Sequence, residues 1–140
     1  ATTMYEDFTL LNAVSWQHWI AVSEVDYCDG LIYINLHDKT FEMTKRYYVT
    51  GNYSKYVKVG SKRIEALTDD KDVLVTAFKN ISETVLIFTN KSEEEKPLSL
   101  PEGKEYIIAV TDKDNDLKES STSSPEICLN PKSVTTVVIK

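Results

Sequence analysis

Cysteine, histidine, glycine and proline are all scarce in this chain of 140 residues: two, two, four and four. Cys28 and Cys128 stand far apart and form no CxxC pair, which excludes a zinc knuckle and a disulfide framework. Cysteine is among the most buried residue types, so both are expected as buried or half-buried free thiols. A single long-range disulfide between them stays open at this level. His18 and His37 have no metal-ligand spacing, so no metal is expected. No apolar run approaches the ~20 residues of a membrane span, which argues against a membrane partner. The longest, Val85–Phe88 and Tyr106–Val110, are strand-sized. The opening residues show no basic stretch followed by an apolar one, so no signal peptide is visible. GxGxxG, GxxxxGKS/T, HExxH and GxSxG are all missing, and no cofactor is expected. Positive charge is the scarcer sign, with 16 Lys and Arg against 22 Asp and Glu, a net charge of −6. A surface for nucleic acid needs clustered Lys and Arg, so that partner class is excluded.

What remains is a globular composition, 41% hydrophobic and 27% charged, sized for one ordinary domain. Thr3 with Glu6 resembles a capping box, and Met4, Phe8 and Leu11 recur at helical spacing, predicting a helix over about 3–12. Residues 13–22 are β-branched and aromatic, and predict a strand buried on both faces, as in a parallel sheet. Asp26–Gly30 is turn chemistry, Leu31–Asn35 a short strand and His37–Thr40 a polar loop. Residues 44–58 predict a second helix with Tyr47, Gly51, Ser54 and Val57 on one stripe, stopped by Gly60. Gly51 inside it costs about 1 kcal/mol relative to Ala, a cost that close approach to a neighbouring backbone would offset.

From about Ser61 the pattern changes. Arg63–Ala66, Val73–Lys79, Thr84–Thr89, Leu98–Leu100, Glu105–Thr111 and Val134–Ile139 read as short strands between polar turns, the signature of an antiparallel sandwich. Val73, Val75 and Ala77 alternate with Leu74 and Phe78, so both faces of that strand are expected to be covered. Asp112–Ser124 reads as a solvated loop. A helix, a strand and a helix thus precede a run of strands. A lone strand-helix unit of parallel character cannot make its own sheet, so residues 1–60 are expected to belong to a larger body.

Trp16 and Trp19, at i and i+3 of the expected strand, point to opposite faces; the strand pattern reads both as core, the alternative being one at a sugar-stacking site and the other in the core. His18 shares the face of Trp16. Glu24, Asp26 and Asp29 follow the strand but show no pairing suited to acid-base chemistry, and read as loop solvation and turn capping. Asn52, Asn80 and Asn90 each begin an Asn-x-Ser glycosylation pattern.

Ser15-Trp16-Gln17-His18-Trp19 followed by Asp26-Tyr27-Cys28-Asp29-Gly30-Leu31-Ile32-Tyr33-Ile34 resembles the last barrel strand and loop of glycoside hydrolase family 30. Lys45-Arg46-Tyr47-Tyr48, Gly51 to Val57 and Gly60 to Ile64 resemble that family's last barrel helix and its exit into a side domain. Val75 to Lys79 and Pro131 to Thr136 resemble strands of its β-sandwich. The likeness runs from about Ser15 to Val138. It departs at Val59, where members often carry Pro.

The resemblance implies an α+β fragment. Residues 1–60 would be the last βα unit of a (β/α)8 barrel, and residues 61–140 an antiparallel β-sandwich side domain. It implies retaining hydrolysis of a β-glycosidic bond by two carboxylates about 5–5.5 Å apart. The acid/base Glu follows the fourth barrel strand in this family and the nucleophile the seventh, so both are expected outside this chain, which has no catalytic residue of its own. Family substrates include xylan, β-1,6-linked galactan and glucan, and glucosylceramide. Trp16 matches the aromatic that floors the sugar beside the scissile bond, Trp19 is left to packing, and His18 and Tyr27 are candidates at the cleft rim. The expected partners are an oligo- or polysaccharide and a second polypeptide carrying the rest of the barrel. The substrate class implies an extracellular enzyme. The alternative is a non-catalytic carbohydrate-binding or structural β-sandwich module.

Overall fold

The computed structural model describes all 140 residues. Its elements in chain order are α1 (Thr2–Thr9), β1 (Val22–Glu24), a 3₁₀ turn (Val25–Tyr27), β2 (Ile32–Asn35), β3 (Thr40–Met43) and α2 (Lys45–Ser54). There follow β4 (Lys62–Ile64), β5 (Val73–Lys79), β6 (Thr84–Asn90), β7 (Lys96–Ser99), β8 (Tyr106–Thr111), β9 (Lys118–Thr122), β10 (Glu126–Leu129) and β11 (Ser133–Ile139). No helix is long and apolar enough to cross a membrane.

Six strands form one antiparallel sheet in the order β4-β5-β6-β11-β8-β9. The last strand in sequence, β11, lies at the centre, flanked by β6 and β8, and all but its final residue are buried. Apolar side chains on both faces of these strands require a cover on each side. On one face α1, α2 and the turn after α2 supply Met4, Phe8, Tyr53 and Tyr56, packed with Phe78, Val85, Ile87, Ala109, Val134 and Val138. On the other, the two-stranded sheet β7-β10 and its flanks supply Leu98, Leu100, Ile127 and Leu129 against Val73, Val75, Phe88, Tyr106 and Val137. Phe78 and the pair Val73 and Val75 thus serve opposite layers, as their alternation predicts.

The departures from expectation have local causes. The helix read over 3–12 stops at Thr9, Asn12 is left-handed (φ 54°), and Thr3 lies inside the helix rather than capping it. Residues 14–19, expected as a strand, take part in no backbone–backbone hydrogen bond, because nothing in this chain lies alongside them; only Val22–Glu24 pairs, in parallel with β2. β3 was not foreseen, and only its first residue, Thr40, falls in the expected polar loop. It closes an antiparallel hairpin with β2, and all four of its residues are exposed.

α2 begins one residue after Thr44, whose hydroxyl accepts from the Tyr47 amide, and it ends at Ser54, short of the glycine expected to stop it. Its inner face is Asn52, Tyr53 and, just beyond the helix, Tyr56, not the stripe of Tyr47, Gly51, Ser54 and Val57. A polar residue at the centre of the buried face conceals the stripe. The Asn52 amide donates to the Tyr48 carbonyl oxygen (3.1 Å) and to Thr111 Oγ1 (2.6 Å), and its Oδ1 accepts from Thr136 Oγ1 (2.9 Å). The close approach at Gly51 is to a side chain, not a backbone: an added Cβ would stand 3.0 Å from Leu117 Cδ2.

Asp112–Ser124 is not all loop. It contains β9, whose Lys-Glu-Ser-Ser-Thr sequence has no apolar alternation because it is an edge strand exposed over nearly its whole length. Both thiols are free but exposed, not buried: Cys28 follows the 3₁₀ turn in a left-handed conformation, and Cys128 lies beside Glu95. Asn52 and Asn90 are buried, and the side chain of Asn80 holds the β5–β6 turn by accepting from the amides of Ser82 and Glu83.

Candidate substrate-cleft segment

The segment between α1 and β1 carries both tryptophans. The ring of Trp16 stacks on His18 with centroids 6.1 Å apart and planes inclined by 21°. Its indole N–H donates to Asp7 Oδ2 at 2.8 Å, and its body packs, half-buried, against the core under α1. Trp16 also forms one wall of a groove of about 750 Å³ between α1, α2 and the start of β4, shared with Phe8, Tyr53, Val57 and Phe78. Arg63 bridges the groove's edge by donating to Asn12 Oδ1 at 2.8 Å.

His18 Nε2 lies 3.0 Å from the Asp29 carbonyl oxygen. A carbonyl only accepts, so Nε2 carries a proton in this contact. Arg46, in the first turn of α2, donates to the same oxygen at 3.0 Å. The loop base is closed by the Gly30 amide donating to Ser23 Oγ at 2.9 Å. Gly30 has no room for a side chain, since a Cβ there would stand 2.6 Å from that hydroxyl and 2.8 Å from the Ile32 carbonyl oxygen. Tyr27 ends the 3₁₀ turn on this loop and is 72% exposed.

Trp16 and His18 therefore form one aromatic pair, and His18 in turn holds the Asp29 carbonyl two residues after Tyr27. Trp19, expected in packing, is instead 82% exposed, since no neighbouring layer covers its side of the unpaired segment. Glu24 and Asp26 are exposed on the same stretch, and no three His, Cys, Asp or Glu side chains converge as metal ligands do. Arg46 was missed as a member of this cluster, because its role depends on a backbone carbonyl 17 positions earlier, which residue type does not announce.

Titratable groups outside the segment are held by neighbours. The Glu119 carboxylate is kept below its usual range by the Tyr56 hydroxyl (2.6 Å) and by Lys55, while burial and the same contact push the Tyr56 phenol up. Asp112 is pushed up by burial. Donors from Asn130 and Asn115 and from the amides of Asp114 and Asn115 outweigh that and hold it low. These are structural ties of loops to the sandwich.

Residues 60–137 match the family model of the glycosyl hydrolase family 30 beta sandwich domain. The chain belongs to glycosyl hydrolase family 30. Among solved structures, a conserved exported protein from Bacteroides fragilis is similar over 96% of this chain and 31% of its own, at 26% identity and a TM-score of 0.85. The glycoside hydrolase family 30 subfamily 8 xylanase Xyn30A from Clostridium acetobutylicum is similar over 99% of this chain and 37% of its own, at 20% identity and a TM-score of 0.80. The endo-beta1,6-glucanase BT3312 is similar over 79% of this chain and 21% of its own, at 24% identity and a TM-score of 0.52. The chain thus spans about a third of the length of the first two. No curated protein sequence matches it.

Proposed function

We propose that this chain is the C-terminal part of a retaining β-glycosidase that acts on a polysaccharide of the xylan or β-1,6-galactan or glucan class. In this reading residues 1–60 are the last βα unit of a (β/α)8 barrel and residues 61–140 are the sandwich that braces it. The rest of the barrel, with both catalytic Glu residues, lies on further polypeptide, either a second chain or a longer one. Trp16, His18 and Tyr27 contact the sugar at the cleft, and the enzyme works outside the cell, as the exported relative's description suggests.

One observation carries this reading. Twelve of the fifteen exposed large hydrophobic side chains fall within residues 10–47, among them Val14, Trp19, Val22, Phe41 and Tyr47. Soluble monomers rarely expose a contiguous apolar patch of more than a few hundred Å². The same stretch holds residues 14–19, whose backbone makes no hydrogen bond to other backbone in this chain. Both features are relieved by adjacent barrel strands. The sandwich, by contrast, is closed. Its aromatics Phe78, Phe88 and Tyr106 are all buried, which leaves no ring on its surface to stack on a sugar and favours bracing over independent carbohydrate binding.

The test is reconstitution. The polypeptide that accompanies or precedes this chain in its source is expressed with and without it. Glycosidase activity on xylan or β-1,6-glucan is expected only with both parts present. Full activity without residues 1–140 would refute the proposal.

A further inference from the structure

The Asp29 carbonyl oxygen is the meeting point of three pieces of chain that are distant in sequence. A carbonyl has two lone pairs, and here both are occupied, one by His18 Nε2 and one by Arg46 Nη1, each at 3.0 Å. Arg46 Nη1 also stands 3.5 Å from the Gly30 carbonyl oxygen. One residue on, both backbone groups of Leu31 are held: its amide donates to the carbonyls of Ile20 and Ala21, and its carbonyl accepts from the amide and the hydroxyl of Thr44. The loop that lifts Tyr27 into solvent therefore has a firm base at Ser23 and Gly30. It has a second, side-chain clamp at Asp29, from the Trp16–His18 segment on one side and from α2 on the other.

We infer that Arg46 and His18 are positioning residues: by clamping the Asp29 carbonyl they fix the Tyr27 loop relative to the Trp16–His18 pair. The clamp joins the aromatic pair and the exposed tyrosine into one surface of set spacing. It also holds the His18 Nε2–H on the Asp29 carbonyl, which fixes the orientation of the ring. Arg46 is exposed, and surface interactions of this kind add little to global stability. Its loss is therefore read locally, in the order of one loop. The assignment of a sugar to this surface rests on the function proposed above; the clamp itself does not.

The experiment is ¹⁵N relaxation on the full protein that carries this chain, isotope-labelled over these 140 residues, and on its Arg46→Ala and Arg46→Lys variants at pH 8, with long-range ¹H–¹⁵N correlation of the His18 ring. In the unaltered chain the amides of residues 26–29 are expected near the rigid order parameter of about 0.85, and in Arg46→Ala below about 0.6. Arg46→Lys, which keeps a charged donor, restores part of that order. The His18 ring is expected in the Nε2–H form. Unchanged order in Arg46→Ala overturns the inference. So does an Nδ1–H ring, which decides the matter on the unaltered chain should Arg46→Ala fail to fold. Neither result depends on any glycosidase activity, so the clamp and the proposed function fail separately.

Discussion

Replacing Asn52 by Ala should cost this chain more stability than any other single polar substitution on α2. Asn52 is fully buried, and its side chain makes three hydrogen bonds, to Tyr48, Thr111 and Thr136. At about 1 kcal/mol net for each, their loss totals about 3 kcal/mol. Ala is the better helix former by about 0.5 kcal/mol, which offsets part of that. The remaining ~2.5 kcal/mol corresponds to a melting temperature lower by about 10 °C for a chain of this size.

The cost is limited because neither threonine is fully orphaned. Thr136 Oγ1 still donates to the Asn52 main-chain oxygen (2.9 Å), and Thr111 Oγ1 still accepts from the Leu117 amide (3.2 Å). A companion variant separates polar pairing from packing. Asn52→Leu fills the space without any amide, while Thr111 and Thr136 keep their contacts to the Leu117 amide and the main-chain oxygen of position 52, so it isolates the loss of the amide's hydrogen bonds. Thermal and urea unfolding, followed by circular dichroism, should place both Asn52→Ala and Asn52→Leu below the unaltered chain. A loss under about 0.5 kcal/mol in Asn52→Ala, or an Asn52→Leu variant as stable as the unaltered chain, would refute the argument that this network seats α2 on the sheet.

Glycine positions give a contrasting pair. Gly30→Ala forces a Cβ against the Ser23 hydroxyl and the Ile32 carbonyl oxygen and should lower stability by about 1–3 kcal/mol. Gly51→Ala meets only the movable end of Leu117 and gains helix propensity, so its unfolding midpoint should stay within about 0.5 kcal/mol of the original. Acid should loosen the tie at Glu119. Its pKa is depressed in the folded chain from the usual 4.5, chiefly by the Tyr56 hydroxyl and then by Lys55. The stabilisation is therefore fully present above that value and is lost as the pH falls through the folded-state pKa. Urea midpoints between pH 6 and pH 3 should fall more steeply for the unaltered chain than for Glu119→Gln; parallel slopes would contradict the assignment. Amide exchange should be near the unfolded rate at residues 14–19 and slowest in β6 and β11, and protection of 14–19 in the chain alone would show an unrecognised partner for that segment.

The sandwich was legible because its strands bury apolar residues on both faces. Val73–Lys79, Thr84–Thr89 and Val134–Ile139 are found within one residue of their sequence-read ends. Strands that lie at edges or outside the core carry no such signal, which is why β3, β9 and β10 were not foreseen. The inner face of α2 was misplaced because hydrophobic periodicity cannot see a buried asparagine that finds its partners on two other strands. The strand read over 13–22 shows the opposite case. Its residue types ask for a sheet, but the neighbours that would make one are not among these 140 residues. For the candidate cleft segment, the family resemblance alone suggested Trp16, His18 and Tyr27, while Trp19's exposure and the Arg46 clamp depend on what does and does not lie alongside.

Native mass spectrometry of the protein isolated from its source, under conditions that preserve assemblies, tests the central claim most directly. If residues 1–60 complete a barrel, this chain is found within a larger body, carrying about 250 or more further residues by peptide bond or by association. A folded, monodisperse species of 15.9 kDa, with the apolar surface of residues 10–47 open to solvent, would contradict the claim.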